Sequence, residues 1–187
     1  MERVLILTGD AGEELEVYYM LYRLREAGYE VHVAAPERKR LQLVVHDFEP
    51  GWDTYVERPG RGLQADLAFA DVDPGQYAGV LIPGGRAPEV IRNDPDVQRI
   101  VGHFFDRDLP VGHMCHGVQV PAAGGYVRGR KVSAYPPLAP DIEAAGGEFV
   151  DGPDVVDGMM VSARGWEDLA EFLKAFLALV ERSAVPA

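Results

Sequence analysis

The sequence predicts a three-layer α/β/α sandwich. Three observations carry that expectation: apolar runs of strand length, stretches of helical periodicity between them, and turn residues closing each run. Strands separated by a helix's worth of chain must run parallel, and such a sheet is covered by helices on both faces.

Residues 4–8 are an apolar run that reads as a buried strand, with Gly9-Asp10-Ala11-Gly12 as the turn after it. From 14 to 27, Leu15, Val17, Tyr18, Leu21, Tyr22 and Leu24 recur at helical spacing, and Gly28 is the stop. Residues 31–35, closed by Pro36, complete a βαβ unit. The stretch 38–73 is rich in Gly, Pro and charge, and a small hairpin pairing 43–45 with 64–69 is expected there. Residues 79–82 form the next buried strand, running into Pro83-Gly84-Gly85. A helix over 88–105 follows, with Val90, Ile91, Val97, Ile100, Val101 and Phe104 on its inner face. Residues 109–114 are a strand and 117–123 the helix behind it. The last third alternates again: a strand at 131–134, a short helix at 140–145 stopped by Gly146-Gly147, and short strands at 148–150, 155–156 and 160–162. An amphipathic helix over 166–182 closes the pattern. No repeat, low-complexity segment or linker divides the chain, so residues 1–187 are expected to form one domain.

Hydrophobic residues make up 47% of the chain and charged residues 26%, ordinary values for a globular protein with a real core. No stretch approaches the ~20 apolar residues of a membrane span. The first apolar run lacks the longer core and small-residue cleavage site of a signal peptide, so a cytoplasmic location and no membrane partner are expected. Thirty acidic residues against eighteen basic ones give a formal charge of −12. That surface repels phosphate backbones, and no nucleic-acid partner is expected.

A single cysteine, Cys115, excludes an intramolecular disulfide and a cysteine-based zinc cluster. His103, His113 and His116 lie close in sequence, but their spacing supplies no third ligand, so neither a metal nor a cofactor is expected. Cys115 is then either an inert buried thiol or a reactive one. Its position between the strand ending at Met114 and the helix beginning near Gly117 favours reactivity, because open α/β sheets carry their sites at the carboxyl ends of strands. A sharp turn there lifts the side chain above the sheet, and a helix N-terminus aimed at the sulfur lowers the thiol pKa. The Gly84-Gly85 pair ends the neighbouring strand and lets bare amides approach a ligand, forming an oxyanion hole with the amide of His116. His116 is a candidate acid, base or hydrogen-bond donor, although successive residues often point apart. Glu16 lies one turn into the first helix, where burial would raise its pKa next to the thiolate. Glu13 and Glu14 compete for that role, and all three also fit a helix start that complements the dipole.

Met114-Cys115-His116-Gly117-Val118-Gln119, preceded by Pro110-Val111 and followed by Gly129-Arg130-Lys131-Val132-Ser133-Ala134-Tyr135, resembles the ThiJ/PfpI superfamily. Pro83-Gly84-Gly85-Arg86-Ala87-Pro88-Glu89 is similar to a segment of its PfpI branch, and Leu15-Glu16 to the segment carrying the family's glutamate. The resemblance covers nearly the whole chain. It implies a flavodoxin-like fold similar to class I glutamine amidotransferase domains. It also implies Glu16, Cys115 and His116 as the catalytic trio, the amides of Gly85 and His116 as the oxyanion site, and a homo-oligomer, dimer or larger. The family's activities include glyoxalase III and deglycase enzymes, intracellular cysteine peptidases, chaperones and oxidative-stress sensors.

Two departures narrow that range. Peptidases of the PfpI branch take a glutamate from a neighbouring subunit, shortly before the strand leading to the glycine pair. Here that segment reads Asp73-Pro74-Gly75-Gln76-Tyr77, without a glutamate, which counts against a peptidase triad. The family's proline after the Cys-His-Gly motif is Val118 here, which alters only the helix entry. The longer stretch from Val45 to Glu57 resembles the branch holding plant glyoxalase III enzymes, and its length fits a pocket wall or an oligomer contact. His46 within it is a candidate second imidazole for substrate binding, or a structural histidine. The leading expectation is cofactor-free conversion of a small carbonyl substrate, such as methylglyoxal or a glycated adduct. Cys115 forms a hemithioacetal, Glu16 and His116 move the proton through an enediolate, and hydrolysis releases a hydroxy acid. The alternatives are a cysteine peptidase, or a sensor or chaperone whose Cys115 oxidises without turnover.

Overall fold

The computed structural model describes residues 1–184; residues 185–187 lie outside the described residues. Its elements run β1 (Arg3–Leu7), α1 (Glu14–Glu26), β2 (Glu30–Ala35), β3 (Arg40–Asp47), β4 (Val56–Gln64), β5 (Leu67–Ala68), β6 (Gly79–Ile82), α2 (Ala87–Ile91) and α3 (Pro95–Asp106). They continue with β7 (Val111–Met114), α4 (Gln119–Ala123), β8 (Lys131–Val132), α5 (Ala139–Ala144), β9 (Glu148–Phe149), β10 (Val155–Asp157), β11 (Met160–Ala163) and α6 (Leu169–Ser183).

Seven strands form the central sheet in the order β10-β11-β7-β6-β1-β2-β5. All pair in parallel except β10, which turns back antiparallel on β11. The central strands are apolar on both faces, as a sheet covered by helices requires. Val4 and Ile6 of β1 pack with Val17 and Met20 of α1 and Phe172 and Phe176 of α6. Leu5 and Leu7, with the opposite parity, pack with Ile100, Val101 and Phe104 of α3. This is the expected three-layer sandwich, and the fold is of the flavodoxin-like, class I glutamine amidotransferase-like type. The strand order reverses at β1, with β2 on one side and β6 on the other, and ligands bind such sheets above that reversal.

Several local expectations are corrected. The hairpin is longer and differently registered: β3 pairs antiparallel with β4, His46 opposite Glu57, while residues 67–68 leave it and join the main sheet beside β2. Leu41 and Leu43 mark the inward face of β3, but β4 is Arg-, Pro- and Gly-rich with Leu63 alone packed inward, too little to read its register. The helix expected over 88–105 breaks into α2 and α3, because the Asp94 side chain caps the amide of Asp96 and Pro95 starts a new helix. The strand at 131–134 is confined to Lys131–Val132 and pairs with Glu148–Phe149 in a separate two-stranded sheet. The last helix starts at Leu169, after a 3₁₀ turn over Trp166–Asp168. Among the described residues no helix is long and apolar enough to cross a membrane.

Helix α1 buries Val17, Leu21 and Leu24 as expected but departs from the pattern at two positions and in its first turn. Leu15 is 52% exposed and Tyr22 60%, whereas Glu13, Glu14 and Glu16 are buried. Burying carboxyl groups in place of a leucine costs free energy unless they are hydrogen-bonded or neutralised, and the cost falls where β1 ends.

Candidate active site

Three parallel strands, β1, β6 and β7, end side by side at the reversal, and the turns that follow them meet there. Strand β7 is extended to Met114, and the chain then enters a 3₁₀ turn over Cys115–Val118. Cys115 sits at the junction with φ +53°, a left-handed conformation that is uncommon for a residue with a Cβ. The turn is possible because Gly117 passes close to β6, where a Cβ would lie 2.2 Å from the Ile82 carbonyl oxygen.

Four groups converge on the Cys115 sulfur. The amides of Gly85 and His116 donate to it. His116 Nδ1 lies 3.3 Å away, so the adjacent histidine does make the direct contact that chain geometry left open. The Glu16 carboxyl completes the set, lying beside the thiol with its Oε1 buried and unpartnered. Gly84 and Gly85, expected to act together, have separate tasks. The Gly84 amide donates to Glu16 Oε2, and only the Gly85 amide faces the sulfur. A Cβ on Gly84 would stand 2.6 Å from Cys115 Cβ and 2.9 Å from Glu16 Oε2. Gly85 has φ +78°, and a Cβ there would meet the Ala11 carbonyl oxygen at 2.2 Å.

Burial sets the protonation of this cluster. Glu16 is fully buried, and burial, with the Glu13 charge behind it, pushes its carboxyl up to about 8. Glu13, whose Oε2 accepts from the Glu16 amide at 2.8 Å, is pushed up by burial to about 7. Burial lowers His116 to about 4, with the nearby His46 adding to the effect, so its ring is neutral at pH 7. The Cys115 thiol is raised by burial and then by Glu16, which corrects the expectation of a lowered value. The reason is local: α4 is only five residues long and begins four positions past the sulfur, so its dipole is small. Once Glu16 holds its proton its repulsion vanishes, and its O–H can donate to the sulfur. Cys115 and Glu16 thus compete for one proton, with two backbone amides favouring the thiolate.

The hairpin of β3 and β4 is tied to this floor. Val44 donates to the Gly12 carbonyl at 3.0 Å, and the His46 amide lies close to the Glu13 carboxyl. His46 is 4% exposed and bonds Glu57 Oε2 through Nε2 at 2.9 Å. Tyr55 stacks on His46 with ring centroids 4.1 Å apart and meets His116 and Tyr135 edge-on, at 5.9 and 5.7 Å. Phe48 stands 6.5 Å from Tyr135 and 6.4 Å from Trp166. These rings, with residues 164–167, wall a cleft of about 330 Å³ whose floor is Glu13, Glu16 and Cys115. The Arg164 guanidinium at its edge is engaged by Asp168 and Asp151, at 2.8 and 3.0 Å.

The structure therefore brings Cys115, Glu16, His116, Gly84, Gly85 and His46 together. Glu14 turns away to bond Arg61. The stretch from Val45 to Glu57, expected as a pocket wall or oligomer contact, supplies Phe48 and Tyr55 to the wall, whereas sequence reasoning passed over Tyr135 and Trp166 as cleft walls and Glu57 as the partner of His46. The one available signal was the density of aromatic and histidine residues between 46 and 55. Residues 74–76 form a 3₁₀ turn at the opposite end of β6, where Gln76 bonds Arg3 at 3.0 Å, so within this chain they do not reach Cys115. Among the described residues no group of three or more His, Cys, Asp or Glu side chains is arranged to hold a metal ion.

A family model described as the DJ-1/PfpI family matches residues 2–179. A Thermococcus kodakarensis protein named a deglycase is 35% identical over 178 residues, covering 95% of this chain and 99% of that protein. The Arabidopsis thaliana protein named DJ-1 homolog D is 36% identical over 187 residues, covering 96% of this chain but 48% of the plant protein, so this chain spans about half its length. Among solved structures, a two-domain protein from Anabaena variabilis with DJ-1/ThiJ/PfpI-like and ferritin-like domains aligns with a TM-score of 0.86 at 28% identity, over all of this chain and 50% of that one. Schizosaccharomyces pombe DJ-1 aligns with a TM-score of 0.75 at 16% identity, over 98% of this chain and all of that one, a likeness of fold.

Proposed function

The chain belongs to the DJ-1/PfpI family, and from that premise we propose a cofactor-independent enzyme of deglycase and glyoxalase III type acting on small reactive dicarbonyls or their amine adducts. One observation carries the reading. Cys115 stands in a left-handed turn on the floor of a small ring-walled cleft, its sulfur held by two amides, a neutral imidazole and a buried carboxyl. An inert core cysteine needs none of these partners.

With methylglyoxal, the Cys115 sulfur forms a bond to the aldehyde carbon as its thiol proton passes to His116. The carbonyl π pair moves to oxygen, and Glu16 protonates that oxygen to give a hemithioacetal. As the sulfur loses its charge, the Gly85 and His116 amides are free to donate to the new oxygen anion beside it. A base in the cleft then takes the proton from the sulfur-bearing carbon, forming an enediolate, and the proton returns to the adjacent carbon. The first carbon is oxidised and the second reduced by two electrons each, so no outside oxidant is required. The product is a 2-hydroxyacyl thioester, and water cleaves it to the hydroxy acid and free Cys115. An adduct of methylglyoxal with an amine follows the same course after the amine leaves. The cleft is narrow and walled by aromatic rings, which suits a three-carbon substrate better than an extended peptide.

The test is the rate of lactate formation from methylglyoxal without added glutathione, for wild type and Cys115→Ala. Turnover in the wild type and background rates in the variant are expected. Equal rates in the two proteins would remove Cys115 from the mechanism.

A further inference from the structure

We propose that His46 is a second acid–base residue of the cleft, held as the Nε2–H tautomer by Glu57 and Arg86, and that it carries the proton between the two substrate carbons. This role rests on the reading of Cys115 as the nucleophile and supplies the base which that chemistry requires.

The tautomer follows from hydrogen bonding. Arg86 grips Glu57 with two prongs, Nε to Oε2 at 2.7 Å and Nη2 to Oε1 at 2.8 Å. That grip holds the Glu57 carboxyl down at about 2, so it is an anion that can only accept. His46 Nε2, 2.9 Å from Glu57 Oε2, is therefore the protonated nitrogen, and Nδ1 keeps its lone pair. Tyr55, stacked 4.1 Å from the ring, fixes its plane, and the ring lines the same cleft as Cys115. Arg86 follows Gly85 directly, so the turn that supplies an amide to the sulfur also anchors the partner of His46.

The other candidates have prior tasks. Glu16 supplies the acid and its Oε2 accepts from the Gly84 amide, Glu13 Oε2 caps α1, and His116 Nδ1 faces the sulfur, while the Oε1 atom of each carboxyl is buried without a partner. His46 Nδ1 takes the proton from the sulfur-bearing carbon while that C–H electron pair becomes the enediolate double bond. The carbonyl π pair of the adjacent carbon moves to its oxygen as this happens. The imidazolium then returns the proton to that carbon, whose new C–H bond takes the double-bond pair, while the O–H pair on the first carbon becomes the thioester C=O and its proton passes to the second oxygen. The Glu57 carboxylate offsets the positive charge on the ring between the two transfers, as in other carboxylate–imidazole pairs. Glu57 and Arg86 are positioning residues, since neither lines the cleft.

The experiment combines ¹⁵N NMR of the imidazoles with kinetics on the full chain, using methylglyoxal as substrate and iodoacetamide as a probe of Cys115. The expected spectrum shows His46 with Nε2 protonated and Nδ1 bare, and Glu57→Gln loses that preference. His46→Gln is expected to lower kcat at least about 100-fold while Cys115 alkylation proceeds at the wild-type rate. Glu57→Gln lowers kcat by a smaller factor with KM unchanged, a split that a loosened fold would not give. An Nδ1–H tautomer in the wild type, or full kcat in His46→Gln, overturns the role of His46 alone. A wild type with no turnover overturns the enzymatic reading together with this role.

Discussion

The floor of the cleft and its roof are built on opposite principles. The floor comes from turns at the ends of three buried parallel strands, and each of its residues is fixed by backbone packing. Cys115 is left-handed, Gly84 and Gly85 admit no side chain, and Glu16 is clamped by an amide. The roof is a two-stranded hairpin attached by a bridge between Glu13 and Val44, with few buried residues beyond Leu41, Leu43, Val44 and His46. Its geometry comes from side-chain pairs: His46 with Glu57, Glu57 with Arg86, and Tyr55 on His46. The floor's precision is a property of the fold, so it suits bond making. The roof can change with a few surface substitutions, so its aromatic wall suits the choice of substrate, while the clamped His46 is the one roof residue that takes part in the chemistry.

That division can be broken or sharpened by substitution. The largest effect outside Cys115 is expected at Glu16→Gln, which removes the protonatable carboxyl beneath the sulfur and lowers kcat at least about 100-fold. The same variant reports the buried acid through stability. Glu16 is raised from 4.5 to about 8, so the folded wild type holds a proton that the unfolded chain releases across that interval. Wild-type stability is therefore lost progressively as pH rises through that window, and the variant escapes this contribution. Denaturant melts of both proteins should show the advantage of Glu16→Gln growing from about pH 5 to about pH 8. A constant difference would mean that Glu16 is not buried as an acid.

Gly84→Ala comes next. The new methyl group overlaps Cys115 Cβ, and a loss of about 1–3 kcal/mol is expected in chemical denaturation, as for other overpacked sites. Unchanged stability together with full activity would show that the floor is less rigid than its contacts require. The smallest effect belongs to the aromatic wall of the roof. Tyr55→Leu removes a ring worth about 0.5–1.5 kcal/mol in aromatic contacts. It is expected to raise KM several-fold, with Cys115 alkylation by iodoacetamide unchanged. Equal loss of kcat and thiol reactivity would erase the distinction between roof and floor.

The same contrast explains what could be read from the sequence. Apolar runs such as Val80, Leu81 and Ile82 can sit only in a covered sheet, and a cysteine or glycine pair directly after such a run is placed by the strand before it. Glu16 was legible because it stands one turn past the end of β1. Its protonation was legible too, since burial alone raises a carboxyl. The thiol's direction of shift was not, because the sequence does not display the length of α4 or the desolvation around Sγ, where Cys115 is 8% exposed. Nor was the hairpin register. Arg58 and Arg61 alternate with Pro and Gly and Leu63 alone packs inward, so little in β4 marks which residues face inward, and Glu57 meets His46 only through long-range pairing. Aromatic walls drawn from 48 and 55, from 135 and from 166 belong to three separate segments, and the sequence does not show that they meet.

The central claim is that carbon–sulfur bond formation at Cys115 lies on the reaction path. It is tested most directly by mixing the protein with methylglyoxal, quenching with acid during turnover, and mapping the peptides by mass spectrometry. The account requires a substrate-mass addition on the Cys115 peptide that disappears as substrate is exhausted. Turnover that proceeds while Cys115 stays unmodified at every time point would contradict it.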